Sequence, residues 1–193
     1  PLAGLSGGRA LAKSDDDGIY VISLEGDALE LVPPGLGADA TVEVSPDGSY
    51  FAVAHPTGLC LMDGERGCEE PEWALLIGAS GGGEPVRFIG HGATRLRGVS
   101  DAGTVLVAGF HTPGAAEDRS SYRVLDVYGR ELAEGTGAVR TTRVAGRWMY
   151  WSVEGRGLFG VDDAGSVASL GGEADDFLVD TAYGRLLGLR SFP

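Results

Sequence analysis

The sequence predicts an all-β fold, a β-propeller of about four to five four-stranded blades. Three observations predict it. Helical periodicity is nearly absent: no stretch carries apolar residues at i, i+3, i+4 and i+7 for more than about two turns. Short β-rich runs separated by Gly, Pro and Asp fill the 193 residues. The runs also repeat. Their turn glycines Gly48, Gly103, Gly146 and Gly184 are spaced by 55, 43 and 38 residues, close to the ~40–45 residues of a propeller blade.

In chain order the expected strands begin with Ala10–Ser14, Gly18–Leu24, Leu29–Val32, Val42–Ser45, Tyr50–His55 and Gly58–Met62. Trp73–Ile77, Val86–Ile89, Thr94–Val99, Val105–Phe110 and Tyr122–Val127 follow. The last are Thr141–Val144, Trp148–Val153, Gly157–Val161, Ser166–Leu170, Phe177–Asp180 and Leu186–Leu189. Within each unit a strand, a Ser/Asp-rich turn with Gly and a second strand are followed by a third strand ending in an acidic turn. Gly58-Leu59-Cys60-Leu61-Met62-Asp63-Gly64 and Gly157-Leu158-Phe159-Gly160-Val161-Asp162-Asp163 are two copies of that third strand. The blades are expected at about 41–80, 86–136 and 138–171, with a terminal blade made from 177–193 together with 9–33. The whole of 1–193 is then one domain whose ends close the ring. If the ends do not combine there are five blades; if the ring is not closed, the chain is a segment of a larger propeller or associates with itself, because open blades leave unpaired edges.

One unit carries a resemblance. Ser45-Pro46-Asp47-Gly48 before Tyr50-Phe51-Ala52-Val53-Ala54, followed by Gly58-Leu59-Cys60-Leu61-Met62-Asp63, resembles the repeat of TolB-like (WD40-like, PD40) propellers. It is close over residues 41–64 and degenerate elsewhere. The resemblance implies a bacterial periplasmic or surface propeller that binds proteins, and it transfers no catalytic residue. Propellers of that family have six or seven blades, which is more than this chain holds.

The formal net charge is -13, with 43% hydrophobic and 22% charged residues. Such a surface repels phosphate backbones and anionic lipid, so no nucleic acid is expected as a partner. A protein partner, a cationic one in particular, fits better. No apolar stretch approaches the ~20 residues of a membrane span. No Gly-x-Ser-x-Gly elbow, P-loop or His-Glu-x-x-His motif is present, and no cofactor or catalytic residue is expected.

Cys60 and Cys68 flank the turn signal Asp63-Gly64. Folding there brings them near one another on a hairpin, which suits a disulfide and hence an oxidising, periplasmic or extracellular compartment. Two free thiols, or a metal or redox role, are the alternatives. Asp15-Asp16-Asp17-Gly18 reads as a solvated turn, since it lacks the alternating ligands of a Ca²⁺ loop. His55, His91 and His111 read as ordinary surface or loop histidines. The alternative is a metal site at a central channel.

Trp148, Tyr150 and Trp151 concentrate the aromatic surface of the chain. Packing between blades accounts for them, and contact with a partner is the sharper alternative. The long loop Thr112–Ser121 adds Glu117, Asp118 and Arg119 as candidate contacts. The expected function is a non-catalytic protein-interaction or scaffold module of an envelope or extracellular assembly. The competing expectations are a small-molecule site at the ring centre, in an enzyme or an enzyme accessory, and a self-associating structural segment.

Overall fold

Alternation of apolar and polar residues becomes antiparallel sheet throughout. The computed structural model of the chain describes residues 3–62, 68–92, 94–109, 122–172, 176–180, 183 and 185–190. The first sheet holds β1 (Ala3–Leu5), β2 (Arg9–Lys13), β3 (Ile19–Ser23) and β4 (Ala28–Val32). The second holds β5 (Thr41–Val44), β6 (Tyr50–Met62), β7 (Cys68–Ala79) and β8 (Val86–His91). The third holds β9 (Arg95–Val99), β10 (Val105–Ala108), β11 (Tyr122–Leu125) and β12 (Glu131–Gly135). The fourth holds β13 (Val139–Ala145), β14 (Trp148–Val153), β15 (Gly157–Val161) and β16 (Val167–Gly171). β17 (Asp176–Asp180) and β18 (Arg185–Arg190) pair as a two-stranded fifth sheet. Every four-stranded sheet takes its strands in chain order.

The sheets stack face to face in a propeller-like arrangement, and the period of two explains how. Successive side chains of a strand point to opposite faces. On β6, Phe51 and Val53 pack with Leu11, Val21 and Leu31 of the first sheet. Ala52 and Ala54, between them, pack with Leu96, Val105 and Val107 of the third. Leu106 and Val124 turn the other way and meet Met149, Trp151 and Val161 of the fourth. Tyr150 and Leu158 then meet Phe177 of the fifth. The first strands converge, β5 on β9, β9 on β13 and β13 on β17, so the sheets fan outward from an inner edge.

One local device recurs at the hairpins. A Ser or Asp accepts, at its carbonyl, the N–H three residues on, and its side-chain oxygen accepts a second backbone N–H beyond the turn. Gly103 N–H donates to the Ser100 carbonyl at 2.9 Å, and Thr104 N–H to Ser100 Oγ at 3.2 Å. Gly129 donates to Asp126 and Gly165 to Asp162 in the same way. The third turn position has positive φ, which glycine adopts without strain. Asp17 holds it in the turn Ser14–Gly18, at φ 66°, the one such non-glycine among the described residues. That conformation costs an L-residue roughly 1 kcal/mol.

Three assignments from sequence change. β1 supplies the first strand of the first sheet, so residues 3–32 form a complete sheet, and β17–β18 pair with each other instead. β1 is three residues long with Gly4 at its centre, too short to show alternation. β8 is the outer strand of the second sheet, not the start of the next unit: Val86 pairs with Ile77, and Gly81-Gly82-Gly83 belongs to the hairpin between β7 and β8. β12, Glu-Leu-Ala-Glu-Gly, has poor strand formers. It pairs with β11, where Arg123 reaches both Glu131 and Glu134 at 3.6 and 3.7 Å.

β6 also runs unbroken through Pro56, with a register shift between Pro56 and Cys60. Proline is tolerated there because β5 pairs only as far as Ala54, leaving no ladder bond for Pro56 to lose. Beyond that point β6 and β7 continue alone, past the ends of β5 and β8, as a two-stranded arm.

Candidate functional site

Strand direction alternates, so the first and last hairpin turns of each sheet gather at one end of the fan. The middle loops and the inter-sheet connections gather at the other. At the first end the turns are tied together across sheets. Ser6 N–H donates to the Gly48 carbonyl at 2.9 Å, Asp47 N–H to Asp101 Oδ1 at 2.9 Å, and Asp101 N–H to the Gly146 carbonyl at 2.8 Å. Arg9 Nη1 adds a bond to the Ser80 carbonyl at 2.8 Å. These links hold four sheets in register at their turn end.

Asp47 and Asp101 share this seam, and their carboxyls are shifted in opposite directions. Desolvation would raise the Asp47 carboxyl. Bonds from Ser49 N–H and from the Ser45 and Ser49 hydroxyls outweigh it and hold the group below the usual range. Burial pushes the Asp101 carboxyl up; the bond from Asp47 N–H opposes this, and the Asp47 carboxylate adds to the rise. Glu25, Asp27, Asp126, Asp162 and Asp163 lie in turns at the same end. Arg130 pairs with Asp126 at 3.1 Å and Arg147 with Asp163 at 3.7 Å. Three aromatic side chains project from these turns: Tyr128 is 80% exposed, Trp148 38% and Tyr183 71%. The end therefore offers both carboxylates and exposed aromatic rings, a chemistry that suits cationic side chains.

The aromatic cluster expected from sequence divides. Trp151 is fully buried and stacks on Phe159, ring centroids 5.8 Å apart, so it is core and not a contact. Tyr150 is buried against the fifth sheet, with burial raising its phenol. Both lie within β14, which is sandwiched between two sheets; Trp148 escapes because it begins that strand beside the turn. Tyr128 and Tyr183 were missed. Their sequence signal is a tyrosine directly followed by glycine between two β-rich runs. Glu117, Asp118 and Arg119, with His111, lie outside the described residues.

No family model matches the chain. No curated protein matches it either.

The two described histidines are not surface residues. His55 on β6 and His91 on β8 are 2% and 4% exposed. His55 Nδ1 lies 2.8 Å from the Pro56 carbonyl, so it carries the proton. Among the described residues no group of three or more His, Cys, Asp or Glu is placed to hold a metal. Cys60 and Cys68 sit on the two-stranded arm, opposite Pro71 and Met62 respectively; their side chains lie outside what the structure describes. No described helix is long and apolar enough to cross a membrane.

The opposite end holds a second feature. Lys13 Nζ donates to Asp17 Oδ1 at 2.7 Å and to the Gly37 carbonyl at 3.2 Å, beside a cavity of about 330 Å³. On the inner edge, Glu43 of β5 is half-buried, and burial raises its carboxyl with no hydrogen bond to offset it.

Proposed function

We propose that the chain is a non-catalytic protein-interaction module whose turn end receives a cationic segment of a partner. The observation that carries this is the set of exposed rings, Tyr128, Trp148 and Tyr183, at the same end as the turn carboxylates, with Trp148 beside the Gly146 turn that Asp101 ties to the third sheet. Aromatic residues of this kind supply contact area at low entropic cost, and the acidic surround speeds the encounter with a basic partner. The resemblance of residues 41–64 to the TolB-like repeat and the Cys60–Cys68 arm support a place in a bacterial envelope or outside the cell.

The test is crosslinked capture from the envelope fraction of the source cell, with the native chain and a Tyr128→Ala/Trp148→Ala variant as baits. A stoichiometric protein held by the native chain, released by salt and lost from the variant is expected. Equal capture by both baits overturns the turn end as the surface.

A second reading, a small-molecule anion site at the inner edge of the fan, is favoured by one observation. In a chain of charge -13, β9 carries Arg95 and Arg97 on that edge, and Arg97 Nε is buried without a hydrogen-bond partner.

A further inference from the structure

We infer that the cavity between the first two sheets binds a small amphiphilic carboxylate, with Lys13 as its counter-ion. The cavity arises where the packing of the fan changes. β5 packs on β9, β9 on β13 and β13 on β17, and no comparable contact joins β1 to β5. The space between them is about 330 Å³, at the small end of ligand sites. Its walls are Ala3, Ile19, Ala40, Val42 and Val44, and Lys13 is its one charged side chain. Ala40, Val42 and Val44 pack on the core of the first two sheets yet remain only partly buried, which leaves apolar surface for a hydrocarbon body to cover.

Lys13 is the only lysine in the sequence, and two loops are shaped to hold it. Its ammonium has three donors. Asp17 and the Gly37 carbonyl take two of them, and one remains for a ligand. Asp17 occupies the left-handed turn position that glycine fills in the equivalent hairpins. Glycine would relieve the backbone there and lose the tether. The connection after β4 passes so close that a Cβ on Gly37 would lie 1.9 Å from the Asp17 carbonyl, and Gly35 N–H donates to the Asp16 carbonyl. A strained residue that positions a cation beside an apolar cavity is the arrangement expected of a binding site. A single ammonium among apolar walls matches a monocarboxylate; a phosphate needs several converging donors.

The lone lysine makes the test direct. Incorporating ¹³C,¹⁵N-lysine labels Lys13 alone and leaves its charge and its three donors intact. Butyrate, hexanoate, octanoate, hexanol and hexylamine are then titrated in. A saturable shift of the Lys13 signal is expected with the carboxylates, binding tightening about fourfold per added CH₂ until the cavity is full. Val44→Phe, which fills the cavity, should abolish the response. Lys13→Met, at a side chain 33% exposed, leaves the core untouched; calorimetry should show its preference for hexanoate over hexanol gone. Asp17→Gly should weaken hexanoate binding several-fold. An absent or non-saturating response, equal response to hexanol, or unchanged binding in Lys13→Met overturns the proposal.

Discussion

Gly129 joins two sheets through an atom it lacks. The Phe88 ring of β8 occupies the space where its Cβ would stand, 1.5 Å from the nearest ring carbon, and its φ is +76°. Gly129→Ala is therefore expected to lower stability by about 1–3 kcal/mol through overpacking and backbone strain, read as a shift in the denaturation midpoint. Trp151→Ala removes a fully buried ring and should cost about 3–5 kcal/mol; Trp148→Ala should cost far less and act on partner capture. Two groups titrate with opposite sign. Burial lowers the value of His55, the bond to the Pro56 carbonyl opposes this, and Arg87 adds repulsion. With the folded value lowered, its contribution to stability is present above the unfolded value of about 6.5 and lost as pH falls through the folded one. Asp101 is raised, so its contribution is present below the ordinary carboxylate value and lost as pH rises through the folded one. Side-chain NMR titration should find Asp101 taking its proton before Asp47. The reverse order overturns the assignment of the seam.

At the scale of elements, the sequence was most legible where pattern and packing agree. Val105-Leu106-Val107 and Trp148–Val153 alternate between two buried faces, so their strands and approximate bounds could be read directly. The Ser/Asp-x-x-Gly turns were legible because their hydrogen bonds are local. β1 and β12 were not, since pairing with a neighbour makes them strands despite weak propensity. Sheet membership of β8 was hidden for a similar reason: three glycines read equally well as a linker or a hairpin loop. The candidate surface was half legible. Trp148 was named, but a turn tyrosine carries no sign of exposure until the turn is placed. The arm of β6 and β7 makes its own prediction. A two-stranded ribbon is marginal alone; its register sets Cys60 across from Pro71 and Cys68 across from Met62, so the Cys60–Cys68 bond expected from mass mapping without reductant requires the arm to shift register. Alkylation of both thiols would remove the argument for an oxidising compartment.

For the whole molecule, stability is distributed between sheets and not within any one of them. The second, third and fourth sheets each bury both faces, whereas the first has a flanking core described on one face and the fifth is two strands. Native-state hydrogen exchange should therefore find the strongest protection in β6, β10 and β14, and the weakest in β17 and β18. Uniform protection would show that the fan unfolds as one unit. Each sheet is also a single uninterrupted stretch of chain. Pulled from its two ends, the molecule should thus behave as beads unthreading in turn: the third sheet, Arg95–Gly135, would release about 14 nm of slack in one step, and its neighbours would give way in steps of their own.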